Sequence, residues 1–201
     1  MKITLLQNTS LQITAHAIRT CWQSYGKGDN GGEKDRQLID KVGNKFRHSS
    51  TLEHLVYTFY IQGISRACLQ ELARHRMASL SVKSTRYTIK ELSKEEEFTK
   101  ADKRAEKYLV FTGNELVDEM SVKALENLRI CLTKGIANDK AKYCLPESYR
   151  TELTWTINAR SLQNFLNLRS DGAALWEIQA LAREIYANLP QDHQYLFGIK
   201  N

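Results

Sequence analysis

The chain is poor in the residues that divide or staple proteins. Only two prolines occur in its 201 residues, Pro146 and Pro190. No Pro- or Ser-rich linker or internal repeat separates one part from another, so one compact domain spanning 1–201 is expected. The four cysteines, Cys21, Cys68, Cys131 and Cys144, form no CxxC pair. That argues against a zinc ribbon or a disulfide framework and fits a reducing cytoplasm, where the cysteines read as buried small residues. No apolar run is long enough for a membrane span, and "MKITLLQNTSLQ" turns polar after Leu6, so no signal peptide is expected. No GxGxxG follows a strand, which excludes a Rossmann dinucleotide site; "GKGDNGG" (26–32) reads as a mobile loop.

What is present is positive charge. The formal net charge is +6, which admits nucleic acid, anionic lipid or phosphorylated small molecules as partners. Most of the chain mixes its charges. The stretch "RHRMASLSVKSTRY", Arg74 to Tyr87, does not: Arg74, Arg76, Lys83 and Arg86 share it with three serines and no acid. Guanidinium groups grip phosphate through paired hydrogen bonds, and serine hydroxyls with loop N–H groups complete such a cradle. A solvated basic loop is the plain alternative. Small residues between the charges, Ala78, Ser79, Ser81, Ser84 and Thr85, favour close approach to a ligand.

Hydrophobic spacing supplies the frame. "KITLLQ", "LVYTFYIQG" and "TELTWTINA" read as strands. Helices are expected over "SLQITAHAIRTCWQS", with Leu11, Ala15, Ile18 and Trp22 on one face, and over "EKDRQLIDKVGNKF", with Leu38, Ile39, Val42 and Phe46 aligned. "SRACLQELARHR" follows, with Ser65 as a possible N-cap, then "GNELVDEMSVKALENLRICLTK", "SLQNFLNLR" and "AALWEIQALAREIYANL". Gly135, Gly172 and Pro190 punctuate them. "IKELSKEEEFTKADKRAEKY" reads as a solvated connection entering a helix. The fold class is α/β (α+β), with a central mixed β-sheet and flanking helices.

Two more stretches carry polar residues suited to a site. "HSSTLEH" offers His48, Ser50, Glu53 and His54. It lacks an HExxH pattern, and histidines six apart do not share a helix face, so no metal is expected. Capping by Ser50 or Thr51, with Glu53 reaching back, or the polar wall of a cofactor pocket both remain open. In "INARSLQNFLNLRSD", Ser161 can cap a helix striped by Leu162, Phe165 and Leu166. Arg169 falls where that stripe would continue, so it needs a buried ion pair or a bound anion. Asn158, Arg160 and Asn164 gather at the same end, and carboxamides suit a heterocycle edge.

Taken together, these stretches resemble the flavin-dependent thymidylate synthases. RHR, seven residues, then Ser84 and "RY" match that family's signature. "HSSTLEH" with its following strand, "TINARSLQNFLNLR" and "WEI" match other blocks in the same order. The resemblance covers most of the chain. It implies a cytoplasmic homotetramer whose sites lie at subunit interfaces, converting dUMP to dTMP. Methylenetetrahydrofolate would supply the carbon, FAD carry the hydride and NADPH act as reductant, with no nucleic acid or membrane partner. Carried over by position, Arg74, His75, Arg76, His48, Ser50, Glu53, Asn158, Arg160 and Asn164 would meet the flavin. Glu71, Arg74, Ser84, Thr85, Arg86, Lys142 and Arg169 would meet the nucleotide, with Arg169 beside the uracil as the catalytic cation. Val82, Thr85, Glu71, Cys21, Ala173 and Leu175 depart from residues common in the family. Two rivals follow: an FAD- and nucleotide-binding homologue with altered activity, and a basic nucleic-acid-binding module.

Overall fold

The computed structural model describes residues 1–99 and 102–199. Its chain order is β1 (Lys2–Asn8), α1 (Leu11–Thr20), α2 (Glu33–Ile39), β2 (Val56–Ser65), α3 (Arg66–Ala73), β3 (Ala78–Val82) and α4 (Thr85–Thr88). Then come α5 (Glu115–Thr133), α6 (Asn138–Ala141), β4 (Arg150–Asn158), α7 (Ala159–Arg169) and α8 (Trp176–Ala187), with short 3-10 turns between. The sheet order is β1-β2-β4-β3. Backbone bonds at the strand ends run from Thr9 to Val56, Ala159 to Leu55 and Lys83 to Glu152. Each joins the exit of one strand to the entry of its neighbour, so the sheet is antiparallel. The expected α/β class, a sheet flanked by helices, holds with this refinement of strand direction.

The chain divides into two compact units. The first comprises 1–61, 71–81 and 154–201; the second comprises 62–70 and 82–153. In the first unit strict alternation builds the sheet's buried face. Tyr57, Phe59 and Ile61 of β2, with Trp155 and Ile157 of β4, are buried, as a two-residue period demands. Between them Thr58 and Thr156 face the other way and share a side-chain hydrogen bond of 3.0 Å. α7 adds Ala159, Leu162, Phe165 and Leu166, and α8 adds Ile178, Leu181, Ala182 and Ile185, each at helical spacing. Trp155 meets Phe165 edge-on at 5.0 Å between centroids. Tyr57 hydroxyl and His193 Nδ1 share a buried bond of 2.9 Å. Burial raises the tyrosine pKa and lowers the histidine's, so both stay neutral.

The second unit has its own core. Ile89, Leu92, Phe98, Ala105, Tyr108 and Leu109 pack with Val122, Leu125, Leu128 and Leu132 of α5. The segment 89–108, expected to be a solvated connection, is therefore core-forming, apart from Lys100 and Ala101, which lie outside the described residues. Its many charges hide apolar residues that two 3-10 turns bring to one side. Glu95 helps by accepting from Tyr108 hydroxyl and Lys107 Nζ.

Other expectations fail for local reasons. α1 ends at Thr20, so Trp22 lies beyond it and is 84% exposed. α2 continues as a π-turn over Asp40–Lys45; the wider turn rotates the face, so Gly43 is buried against Leu52 while Phe46 is exposed. Within the loop 26–32, whose reading as a mobile segment stays open, Asp29 carboxylate accepts from Lys34 and Asp35 backbone N–H at the start of α2; against desolvation, which raises it, these bonds hold the Asp29 pKa down. Of the cysteines only Cys68 is buried. Ser65 does cap α3, accepting from Cys68 N at 3.0 Å.

Tyr57→Phe removes one partner of a fully buried pair and leaves His193 Nδ1 unpaired. We expect a loss of about 1–3 kcal/mol, seen as a lower urea midpoint with an unchanged slope.

Candidate functional site

α3 stops at Ala73, and the chain turns through Arg74-His75-Arg76 before β3. His75 N donates to Leu72 O and Arg76 N to Arg74 O, which fans the three side chains around the helix end. α7 begins where β4 ends. Asn158, not Ser161, is its cap: the Asn158 side chain accepts from Ser161 N at 2.9 Å. Ala159 N also donates to Leu55 O at 2.7 Å. Arg160, Asn164 and Leu168 then follow at four-residue spacing, along one face of the helix.

These elements enclose a cavity of about 760 Å³ lined by Glu53, Arg74, His75, Arg76, Met77, Asn158, Arg160, Ser161, Asn164, Leu168 and Arg169. Four guanidinium groups thus face one carboxylate. Glu53 does not reach back to cap its own turn; it pairs with Arg160 at 2.7 Å. Both are about half exposed, so that pair is weak and open to exchange for a ligand.

Arg169 is held differently. Its Nε donates to His75 Nε2 at 3.0 Å, its Nη1 to Glu71 Oε2 at 2.8 Å, and its Nη2 to Glu71 backbone O at 3.3 Å. The side chain is only 16% exposed. A guanidinium carries five N–H donors. With three engaged, one remains on each terminal nitrogen for a further acceptor. The arginine the sequence places toward the interior therefore has its ion pair and also lines the cavity. Arg74 is more loosely held, 3.8 Å from Glu71 Oε1 and 73% exposed.

His75 accepts from Arg169, so it must be neutral at Nε2. Burial lowers its pKa first, then the charges of Arg169 and Arg74, against a smaller opposing effect of Glu71, down to about 4. Its ring packs edge-on against Phe165 at 5.0 Å, coupling the site to the core.

Of the expected flavin-side residues, the cavity gathers Glu53, Arg74, His75, Arg76, Asn158, Arg160 and Asn164. His48 and Ser50 are exposed on the adjacent 3-10 turn and do not line it. Of the nucleotide-side residues, Arg74 and Arg169 line it and Glu71 braces it. Ser84, Thr85, Arg86 and Lys142 belong to the second unit. There Ser84 occupies the N-cap position of α4, Thr85 is buried, and Lys142 follows α6. Arg86 lines a hollow of about 570 Å³ with Tyr87, Lys90, Ser93 and Asn138 among others. Met77, Ser161 and Leu168 were missed as lining residues; the Arg160–Asn164–Leu168 period was the available signal for Leu168. Among the described residues no group of three His, Cys, Asp or Glu is placed to hold a metal.

The family described as thymidylate synthase complementing protein matches residues 4–193. A flavin-dependent thymidylate synthase from Wolinella succinogenes is 71% identical over 198 residues, covering 98% of this chain and 97% of that one. One from Helicobacter pylori is 57% identical over 202 residues, covering 98% and 97%. The crystal structure of Helicobacter pylori flavin-dependent thymidylate synthase complexed with FAD and dUMP superposes with a TM-score of 0.95. That match has 56% identity and covers 100% of both chains.

His75 gives a testable pH signature. Its folded pKa lies below the unfolded value of 6.5, so the unfolded chain binds the proton more readily. The stability tied to neutral His75 is complete above about pH 6.5 and falls as pH drops toward 4. Urea midpoints of the wild type should fall more steeply across that window than those of His75→Gln. Parallel curves would contradict the assignment.

Proposed function

We propose, from the premise that this chain belongs to the flavin-dependent thymidylate synthase family, that it catalyses the reductive methylation of dUMP to dTMP. Methylenetetrahydrofolate is the carbon donor and NADPH the reductant. The observation that carries the reading is the convergence of Arg74, Arg76, Arg160 and Arg169 with Asn158 and Asn164 on one cavity.

That lining fits FAD. Four guanidinium groups against Glu53 leave positive charge for a pyrophosphate, the two carboxamides suit the edge of a flavin ring, and Met77 and Leu168 offer apolar contact. Arg74, His75, Arg76, Asn158, Arg160 and Asn164 would hold it, with Glu53, Ser50 and His48 beside it. When bound, FAD supplies the hydride acceptor and donor.

Arg169 acts on the pyrimidine. Glu71 and His75 fix its guanidinium, so no side-chain reorganisation is needed as negative charge develops on uracil. Its remaining N–H donors stabilise that charge at a ring carbonyl, which makes the ring carbon nucleophilic without a protein nucleophile. Neutral His75 accepts from Arg169 and adds no competing cation. Ser84, Thr85, Arg86 and Lys142 serve as contacts of the nucleotide phosphate, with Arg74 and Glu71 completing the nucleotide set. No histidine is at hand in the sequence to activate Ser84, so its role is binding rather than attack.

The whole chain acts as one domain of this type in a cytoplasmic homotetramer, with each pocket drawing on more than one copy. The exposure of Arg74 and Arg160 within one chain supports a pocket completed by further partners. Among the described residues no helix is long and apolar enough to cross a membrane.

Purified protein should bind FAD and form dTMP only when dUMP, methylenetetrahydrofolate and NADPH are all present. Fully flavin-loaded protein that forms no dTMP would overturn the reading in favour of a homologue with altered activity. Arg169→Ala should retain FAD absorbance yet lose at least about 100-fold in kcat, in keeping with loss of one preorganised charge contact. Equal turnover would remove Arg169 from its assigned role.

A further inference from the structure

The second unit holds a pair of thiols that the proposed reaction does not use. Cys131 lies in the last turns of α5, and Cys144 ends the short 3-10 turn after α6. Their sulfur atoms are 4.0 Å apart. Both side chains pack against the unit's core yet remain partly exposed. A disulfide needs about 2.05 Å between sulfurs, so side-chain rotation closing roughly 2 Å joins them. α5 ends at Thr133, two residues before Gly135, whose φ is +76°, and Leu145 leaves the helical region before Pro146.

We propose that Cys131 and Cys144 form a reversible dithiol–disulfide site that staples residues 132–143. That segment carries one wall of the 570 Å³ hollow, through Gly135, Ile136 and Asn138. Asn138 Nδ2 in turn donates to Arg86 O at 2.7 Å. The staple thus fixes both ends of a wall that the Asn138 bond ties to α4.

The oxidant is a hydroperoxide. One sulfur, as its thiolate, attacks a peroxide oxygen; the O–O bond breaks, water leaves, and a sulfenic acid forms. The second thiol then attacks that sulfur and releases a second water. Two thiols have lost two electrons and two protons, and hydrogen peroxide has become two waters. Burial and the neighbouring Cys131 push the Cys144 thiol up, which keeps Cys144 a thiol at rest. Cys21 is exposed and Cys68 buried, and they serve as internal references for accessibility. The inference does not depend on the assigned activity.

The test uses full-length FAD-loaded protein carrying Cys21→Ser, to prevent links between molecules, treated with near-stoichiometric hydrogen peroxide. Non-reducing peptide mapping should find peptides containing 131 and 144 joined and about 2 Da lighter than the dithiol pair. Dithiothreitol should reverse the link. The thermal midpoint should rise on the order of 5–10 °C for a loop of this length in a chain of this size. Cys144→Ser in the same background should lose both the link and the rise. Separate oxidation adducts on the two sulfurs would overturn the proposal. So would two free thiols under conditions that oxidise Cys21 in the parent, or a link that leaves the midpoint unchanged.

Discussion

The candidate site depends on how Arg169 is held. An arginine this far buried is costly unless its charge and its donors are matched. Glu71 supplies both: its carboxylate takes Nη1 and its backbone carbonyl takes Nη2. His75 takes Nε, and it can do so only because burial and nearby positive charge keep it neutral. The edge of Phe165 against His75, and Trp155 against Phe165, carry this arrangement into the sheet. A rigid core thereby fixes a single cation, while the other three arginines stand at the cavity's more exposed rim.

That division of labour has a physical logic. Exposed guanidinium groups bind anions with little structural commitment, and their existing pairs, such as Arg160 with Glu53, are weak in water. A fixed and partly desolvated guanidinium acts where charge changes during a reaction, since there motion of the group would itself cost free energy. The same chain offers both kinds within one lining. In the second unit the arginine Arg86 stacks over Tyr87 at 5.7 Å, beside an independent core. The phosphate-contact role proposed for Ser84 and Arg86 asks for charge and hydroxyls but no buried cation.

Much of this was legible in the amino-acid order. The β-branched and aromatic residues of 55–63 and 151–159 announced the buried strands, and a helix ending before Arg74 announced the fan of charges. An arginine in an apolar stripe announced that Arg169 has a partner. The partner itself could not be read, because Glu71 and Arg169 are 98 residues apart. β3 was missed for a related reason. Ala78–Val82 does alternate Ala78, Leu80 and Val82 with two serines, but it is only five residues long and largely exposed, so its serines among basic residues read as an anion cradle; what makes it a strand is its place beside β4 at the sheet edge. Trp22 and Phe46 were misplaced because spacing rules assume an uninterrupted α-helix, and α1 stops early while α2 widens into a π-turn. The charged segment 89–108 was misread because composition averages over positions, whereas burial selects Ile89, Leu92, Phe98, Ala105 and Tyr108 one by one.

The claim that matters most is that a fixed cation, and no covalent bond to the protein, makes the pyrimidine reactive. Its most direct test is the 15N resonance of N3 in labelled dUMP, followed against pH in the FAD-loaded protein. The account predicts that bound uracil loses its N3 proton at a lower pH than free dUMP, because a neighbouring cation favours the ionised ring. An N3 titration identical to that of free dUMP, or a resonance reporting a covalent adduct with a side chain, would contradict it.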